Sequence, residues 1–408
     1  MKTERNYPAA VVTKKAEASL KKGHPWVYDT EIKSVEGEWT NGCLTDVLSE
    51  KGAYLGTGFV SEKSKIRIRI LSQNANDRYD EAFFRRRIKY AVDYRKTVMG
   101  DDFSACRLVF GEADGLPGLT VDRYENLIVT QVLSYGMDRI KDIIYRSILD
   151  VLAEDNVKID GIYERNDVAI RELEGLEVYK GWYESDFITA APSAVTEICE
   201  NGIRYDVDVE NGQKTGFFLD QKYNRLAAAK IAKGKRVLDC FTHTGSFALN
   251  AAKGGAAHVT AVDISQTAVD MVKTNAEKNG VADRMDFLCA NVFDLLPELC
   301  KTKGQYDMII LDPPAFTKNR RTISDAERGY KEINYRAMKL LPRGGYLATC
   351  SCSHFMDNGL FVKMLMSAAA DAGVSLKLIE ARRQSPDHPT LLNVPETDYL
   401  KFYLFQIV

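Results

Sequence analysis

Two acids stand at the ends of successive apolar runs, Asp239 in Val237-Leu238-Asp239-Cys240-Phe241 and Asp263 in Val262-Asp263-Ile264-Ser265. The loop after the first run, Thr242-His243-Thr244-Gly245, holds a single glycine. A dinucleotide site wants a Gly-rich turn so that pyrophosphate can rest on a helix N-terminus. An acid facing the bound group opposes pyrophosphate and suits a cation, such as a sulfonium or an amino group. The Asp263 carboxylate can accept both hydroxyls of a ribose, and Ser265 is placed to cap the next helix. Together these residues describe S-adenosylmethionine rather than NAD, with Phe241 and Ile264 beside the acids as part of the candidate cofactor set. Each also reads singly as scaffold: Asp239 as a turn residue, Gly245 as a helix-start glycine. Asn291, at the end of a third run, is a candidate for the adenine edge, although Asn is also common in loops.

A second group carries the reaction chemistry. In Leu311-Asp312-Pro313-Pro314-Ala315-Phe316-Thr317-Lys318 two prolines hold the backbone extended, presetting a polar edge beside an aromatic face. Holding a splayed base requires such a pair; a rigid turn after a buried strand is the plainer alternative. Further on, Thr349-Cys350-Ser351-Cys352-Ser353-His354 places two cysteines on one face of a strand. A strand cysteine is usually a small buried hydrophobe, the preferred reading of Cys350. At Cys352, on the strand end, a thiolate makes chemical sense. Carbon 5 of a pyrimidine is a poor nucleophile until something adds to carbon 6. A metal site at Cys350, Cys352 and His354 lacks a fourth ligand and paired spacing, so no metal is expected.

These residues need a scaffold that brings strand ends together. From about Ile203 onward, helical patterns alternate with short apolar runs at 236–241, 258–264, 285–290, 306–311, 345–352, 375–382 and 399–408, the signature of a mainly parallel α/β sheet. A 16-residue loop with three prolines separates the last two runs, so the final strand is expected antiparallel. Ser324 and Glu327 read as a capping box. Ahead of this block, residues 1–73 look like small β-rich structure, with runs at 42–48, 54–60 and 65–70. In Lys65-Ile66-Arg67-Ile68-Arg69-Ile70 the isoleucines would face a core, with Lys65, Arg67 and Arg69 along the other side. A linker at 72–77 leads to an α+β module over 78–190, with helices predicted from Phe83 to about Met99 and from about Met137 to Ala153. The fold class is α/β, two smaller modules preceding a seven-stranded domain over 200–408.

Length and composition bound the rest. At roughly 150 residues per domain, the 408 residues predict two to three domains. The 55 basic against 57 acidic residues leave a net charge of −2, so any grip on nucleic acid must come from local patches. No apolar run approaches the ~20 residues of a membrane span, and the charged start does not read as a signal peptide. The eight cysteines have no paired spacing, which fits a reducing cytoplasm. A cytoplasmic location, with no membrane partner, is the expectation.

The whole chain resembles the class I adenosylmethionine-dependent ribosomal RNA methyltransferases of the bacterial large-subunit cytosine-C5 type. The matching stretches are Gly23-His24-Pro25-Trp26-Val27-Tyr28, Asp114-Gly115-Leu116-Pro117-Gly118-Leu119-Thr120-Val121-Asp122 and Lys214-Thr215-Gly216-Phe217-Phe218-Leu219-Asp220-Gln221. To these are added the loop from Asp239 to Phe247, the Asp312-Pro313-Pro314 loop and the Cys-Ser-Cys-Ser at 350–353. The resemblance implies a PUA domain, an α+β module and a Rossmann-like catalytic domain, with S-adenosyl-L-methionine as cofactor and large-subunit ribosomal RNA as partner. It implies that Phe218, Asp220 and Gln221 wall the methionine end of the cofactor. It also gives Lys65, Arg67 and Arg69 weight as a phosphate track, and places the nucleophile at Cys350 or Cys352, depending on whether letters or spacing are matched. A second cysteine, which another branch carries directly after the Asp-Pro, is replaced here by Pro314.

The expected reaction is cytosine-C5 methylation: Cys352 adds to carbon 6, Asp312 hydrogen-bonds the ring, and Lys318 with Arg320 and Arg321 holds a phosphate or forms a solvated basic loop. Two rivals are methylation of a purine amino group without a thiol, and an RNA-binding assembly factor with a vestigial pocket. A homodimer is left open.

Overall fold

The structure is a computed structural model describing residues 6–302, 305–317 and 320–408. The chain divides into two compact units: residues 1–198 with 206–219 and 386–397, and residues 199–205 with 220–385 and 398–408.

The first unit holds two sheets. One has six strands in the order Trp26–Tyr28, Ile66–Ser72, Tyr54–Val60, Leu44–Leu48, Ala9–Val12, Ile32–Glu36. Its apolar faces enclose Ala10, Val12, Leu20, Val27, Val47, Leu55, Ile68 and Ile70. Gly58 has no room for a side chain, because a Cβ there would lie 2.1 Å from the Arg69 carbonyl oxygen of the neighbouring strand. The other sheet has five strands, ordered Tyr179–Tyr183, Gly161–Asn166, Leu127–Val132, Leu119–Tyr124, Ala105–Phe110. Helices Glu81–Met99 and Lys141–Ala153 pack together beside it.

Three expectations are corrected. The helix expected from Met137 to Ala153 is two, Tyr135–Arg139 and Lys141–Ala153, because the Ile140 backbone (φ −114°, ψ 12°) leaves the helical range. No Gly or Pro marks that break. Arg69 does not face solvent with Lys65. It is 8% exposed and pairs with the buried Glu174 at 2.8 Å, donating also to Ser61 Oγ at 3.1 Å. Strand alternation gave its face correctly; burial of that face came from elsewhere in the chain. Ser324 does not cap the helix Ile323–Leu340. Thr322 takes the cap position without a side-chain cap bond, its hydroxyl being engaged with Thr317 Oγ1 at 2.7 Å.

In the second unit a seven-stranded sheet is built from β1 (Arg236–Cys240), β2 (His258–Asp263), β3 (Met285–Cys289), β4 (Met308–Leu311), β5 (Tyr346–Ser351), β6 (Leu376–Arg382) and β7 (Lys401–Ile407). The order is β3-β2-β1-β4-β5-β7-β6. The first five are parallel, and β7 runs antiparallel to β5 and β6. The helices are α1 (Lys222–Ile231), α2 (Ser246–Lys253), α3 (Gln266–Lys278), α4 (Val292–Thr302), α5 (Ile323–Leu340) and α6 (Asn358–Ala372). Strands β1, β4 and β5 are buried on both faces, so they read as mainly apolar runs. With neighbouring strands leaving β1 in opposite directions, the crevice at its carboxyl end is the expected ligand position.

Candidate active site

The loop leaving β1 is strained. Phe241 (φ 64°), His243 (φ 52°) and Gly245 (φ 87°) all adopt left-handed backbone, which for non-glycine residues persists only where the surroundings over-determine it. At Gly245 glycine is required twice, since a Cβ there would also lie 2.6 Å from Val272 Cγ1 on α3. The loop turns the His243 amide onto Asp263 Oδ2 at 2.9 Å, while the Ser265 amide takes Oδ1 at 3.0 Å. Each oxygen keeps a lone pair for a ribose hydroxyl. Ser265 accepts from the Ala268 amide and so caps α3. Ile264 is 72% exposed beside that carboxylate.

Asp239 is fully buried; Oδ2 accepts from Thr242 Oγ1 at 2.6 Å. Oδ1 makes no hydrogen bond of normal geometry, and the buried Thr244 hydroxyl in the same loop has none either. Burial, then the charges of Asp312 and Asp263, push the Asp239 carboxyl up to about 7 against the Thr242 hydroxyl and Ala248 amide. A buried acid with an unused oxygen suits a cationic group. Asn291 is committed locally, accepting from the Phe293 amide at 3.1 Å and donating to Asp294 at 2.9 Å. Its side chain therefore anchors the start of α4, a role that competes with an adenine contact.

Asp312 follows β4 and accepts from Gln221 Nε2 at 3.0 Å. Gln221 is held in turn by Asn224, 2.6 Å away, and Asn224 by Arg382 at 3.1 Å. Burial pushes the Asp312 carboxyl up to about 6; Arg225 pulls it down, Asp220 raises it, and the Cys350 thiol and Gln221 amide favour the anion. Asp220 accepts from the Tyr399 hydroxyl at 2.6 Å. Behind the Asp-Pro-Pro turn, Phe316 meets Phe241, Phe293 and Tyr330 with ring centroids 6.5, 5.7 and 4.6 Å apart.

The two cysteines differ. Cys350 is wholly buried within β5, and burial, reinforced by Asp312, drives its thiol well above the ordinary value. Cys352, one residue beyond the strand, is half-buried. Nearby, Ser351 bonds the Tyr330 hydroxyl at 3.1 Å. The Lys401 ammonium donates to the carbonyls of Ser353 and Tyr399 at 2.6 and 2.7 Å.

The second unit thus assembles Asp220, Gln221, Asp239, Phe241, Gly245, Asp263, Ile264, Asn291, Asp312, Cys350 and Cys352 around the carboxyl ends of β1, β2, β4 and β5 and the starts of α1 and α4. Phe218 lies in the first unit, with Lys214 Nζ 4.6 Å from its ring centre. Lys65 and Arg67 are also there, exposed and half-buried, and Arg67 donates to the Glu62 carbonyl. Lys318 lies outside the described residues. Sequence reasoning missed Tyr330, Asn224, Tyr399 and Lys401. Only Tyr330 carried a signal, as an aromatic on the apolar face of α5. Among the described residues no helix is long and apolar enough to cross a membrane.

Residues 170–406 match the family model of S-adenosylmethionine-dependent methyltransferases and residues 10–73 that of PUA-like domains. The chain belongs to the S-adenosylmethionine-dependent methyltransferase family, with S-adenosylmethionine as its cofactor. More particularly, it is 39% identical over 409 residues to the ribosomal RNA large subunit methyltransferase I of Klebsiella pneumoniae (strain 342), all of both chains being covered. It is 41% identical to the protein of that name from Photobacterium profundum, over 96% of this chain and 97% of the relative. A solved chain from Streptococcus mutans, assigned as a SAM-dependent methyltransferase, shares the fold with TM-score 0.81 at 22% identity, covering 98% of this chain and 99% of the other. Another assigned methyltransferase, solved with SAH, gives 0.82 with the same identity and coverage.

Proposed function

We propose that the protein methylates carbon 5 of a cytosine in large-subunit ribosomal RNA, with Cys352 as nucleophile. The carrying observation is the contrast between the thiols: Cys350 is sealed in the core, whereas Cys352 stands part-exposed one residue beyond the strand end. The full-length similarity to ribosomal RNA large subunit methyltransferases supports the substrate class. In this reading residues 1–73 form the PUA-like RNA-binding domain, 78–190 the middle module and 200–408 the catalytic domain, and Lys65 and Arg67 contact phosphate.

S-adenosylmethionine would supply an electrophilic methyl group on a sulfonium; Asp239 would hold its cation and Asp263 its ribose, with Gln221, Gly245 and Ile264 completing the cradle. Cys352 Sγ adds to carbon 6 of the base. Asp312, its carboxyl pushed up to about 6, can pass a proton to the ring as the sulfur adds, so negative charge does not accumulate there. Carbon 5, now electron-rich, can accept the methyl group, whose bond to the sulfonium sulfur breaks to leave a neutral thioether. Loss of the carbon-5 proton to a base then expels Cys352 Sγ as a thiolate, and return of the ring proton to Asp312 restores the neutral base.

The test is trapping on RNA carrying 5-fluorocytosine, which has no carbon-5 proton to lose. Wild type and Cys350→Ala should form a covalent protein–RNA species that Cys352→Ala does not. A Cys352→Ala enzyme that still methylates RNA would favour the purine-amino reading, for which Asp312 would bind the amino edge without a thiol.

A further inference from the structure

Lys401 carries a charge in a place where lysine is rarely found. It opens β7, is 6% exposed, and its Cα pairs with that of Ser351 across the antiparallel β5–β7 ladder. Two of its three ammonium hydrogens go to the carbonyls of Ser353 and Tyr399. Among the described residues no carboxylate stands within ion-pair distance. A buried ammonium without a counter-ion is costly. The two residues it brackets through backbone contacts, Ser351 and Ser353, flank Cys352.

We propose that Lys401 is a positioning residue whose clamped ammonium holds Cys352 as a thiolate at neutral pH. The proposal rests on the reading of Cys352 as nucleophile. Burial lowers the Lys401 ammonium to about 8, while the charges of Cys352, Asp398 and Asp357 pull it back up. It therefore remains cationic below that pH. Among the described residues, Lys401 from β7, Tyr330 from α5 and Cys350 from β5 feel the charge of Cys352; of these three, Lys401 is the cation. A cation beside a thiol lowers its pKa and raises its thiolate fraction.

The experiment is alkylation of the full-length protein with iodoacetamide across pH 5–10, read at the Cys352 peptide by mass spectrometry so that the other seven cysteines do not interfere. Lys401→Gln retains donors for the two carbonyls but not the charge. It should raise the Cys352 midpoint by a unit or more and slow alkylation near pH 7 about tenfold, whereas Lys401→Arg should keep the midpoint low. An unchanged midpoint in a folded Lys401→Gln protein overturns the proposal, whether or not its melting shifts, since a purely structural clamp would change melting alone. If Lys401→Gln does not fold, the wild-type profile decides: a midpoint at or above the ordinary thiol value of about 8.5 overturns the proposal, and a clearly lower one sustains it. Retained methylation by Cys352→Ala would sink the nucleophile reading and leave the alkylation result standing. Loss of methylation in Cys352→Ala with an unshifted Lys401→Gln profile would sink only the role of Lys401.

Discussion

Asp239 sits at the end of β1 with one carboxylate oxygen unused and its carboxyl pushed up to about 7 by burial. In the ligand-free protein it holds a proton that an unfolded chain would release near pH 4. Its contribution to stability is complete below that value and is lost as pH rises from about 4 through about 7. A bound cation reverses the preference, because the anion then has a partner. Binding of S-adenosylmethionine near pH 6.5 should therefore release up to one proton. Titration calorimetry in two buffers of different ionisation enthalpy would count it, and Asp239→Asn should release none while binding more weakly. Equal apparent enthalpies in both buffers for the wild type would refute the assignment.

At the scale of elements, the sheet of the second unit was legible almost strand by strand, because strands buried on both faces are written as mainly apolar runs. The antiparallel last strand followed from a loop too proline-rich to hold a crossover helix. The short strands Ala9–Val12, Trp26–Tyr28 and Ile32–Glu36 were not legible: three to five residues carry too little periodicity. Nor was Lys401, which reaches Ser353 only through β-pairing across some fifty intervening positions. Arg69 shows the limit most clearly, since alternation assigns a side chain to a face but cannot say what covers it. That side chain is part of the scaffold. Arg69→Ala should cost about 3–5 kcal/mol by stranding Glu174 as a buried unpaired charge. Arg69→Met with Glu174→Leu should recover much of the loss. Urea unfolding of the three proteins measures both; a cost below about 1 kcal/mol for Arg69→Ala would mean the pair is open to water.

For the whole molecule, the charge balance argues for a restrained electrostatic hold on RNA. The net charge is −2, and the basic helix Glu81–Met99 spends its cations internally: Arg85 pairs with Glu154, Arg86 with Asp77, Lys89 with Asp93 and Lys96 with Asp155. On the strand Ile66–Ser72 and the turn before it, Lys63 stands exposed with Lys65, and Arg67 donates to a carbonyl; Lys65 and Arg67 are the two read as phosphate contacts. Each phosphate neutralised contributes about 0.7–0.9 to the slope of log affinity against log salt. Replacing both residues with alanine should lower the slope for protein-free large-subunit RNA by about 1–2 and weaken binding alike for any sequence, while unfolding stability stays within about 0.5 kcal/mol of wild type. Because phosphate contacts position without specifying, the choice of target base should survive the double substitution. A variant whose salt slope matches wild type would place the RNA on another surface and leave this strand, like Arg69, to the scaffold.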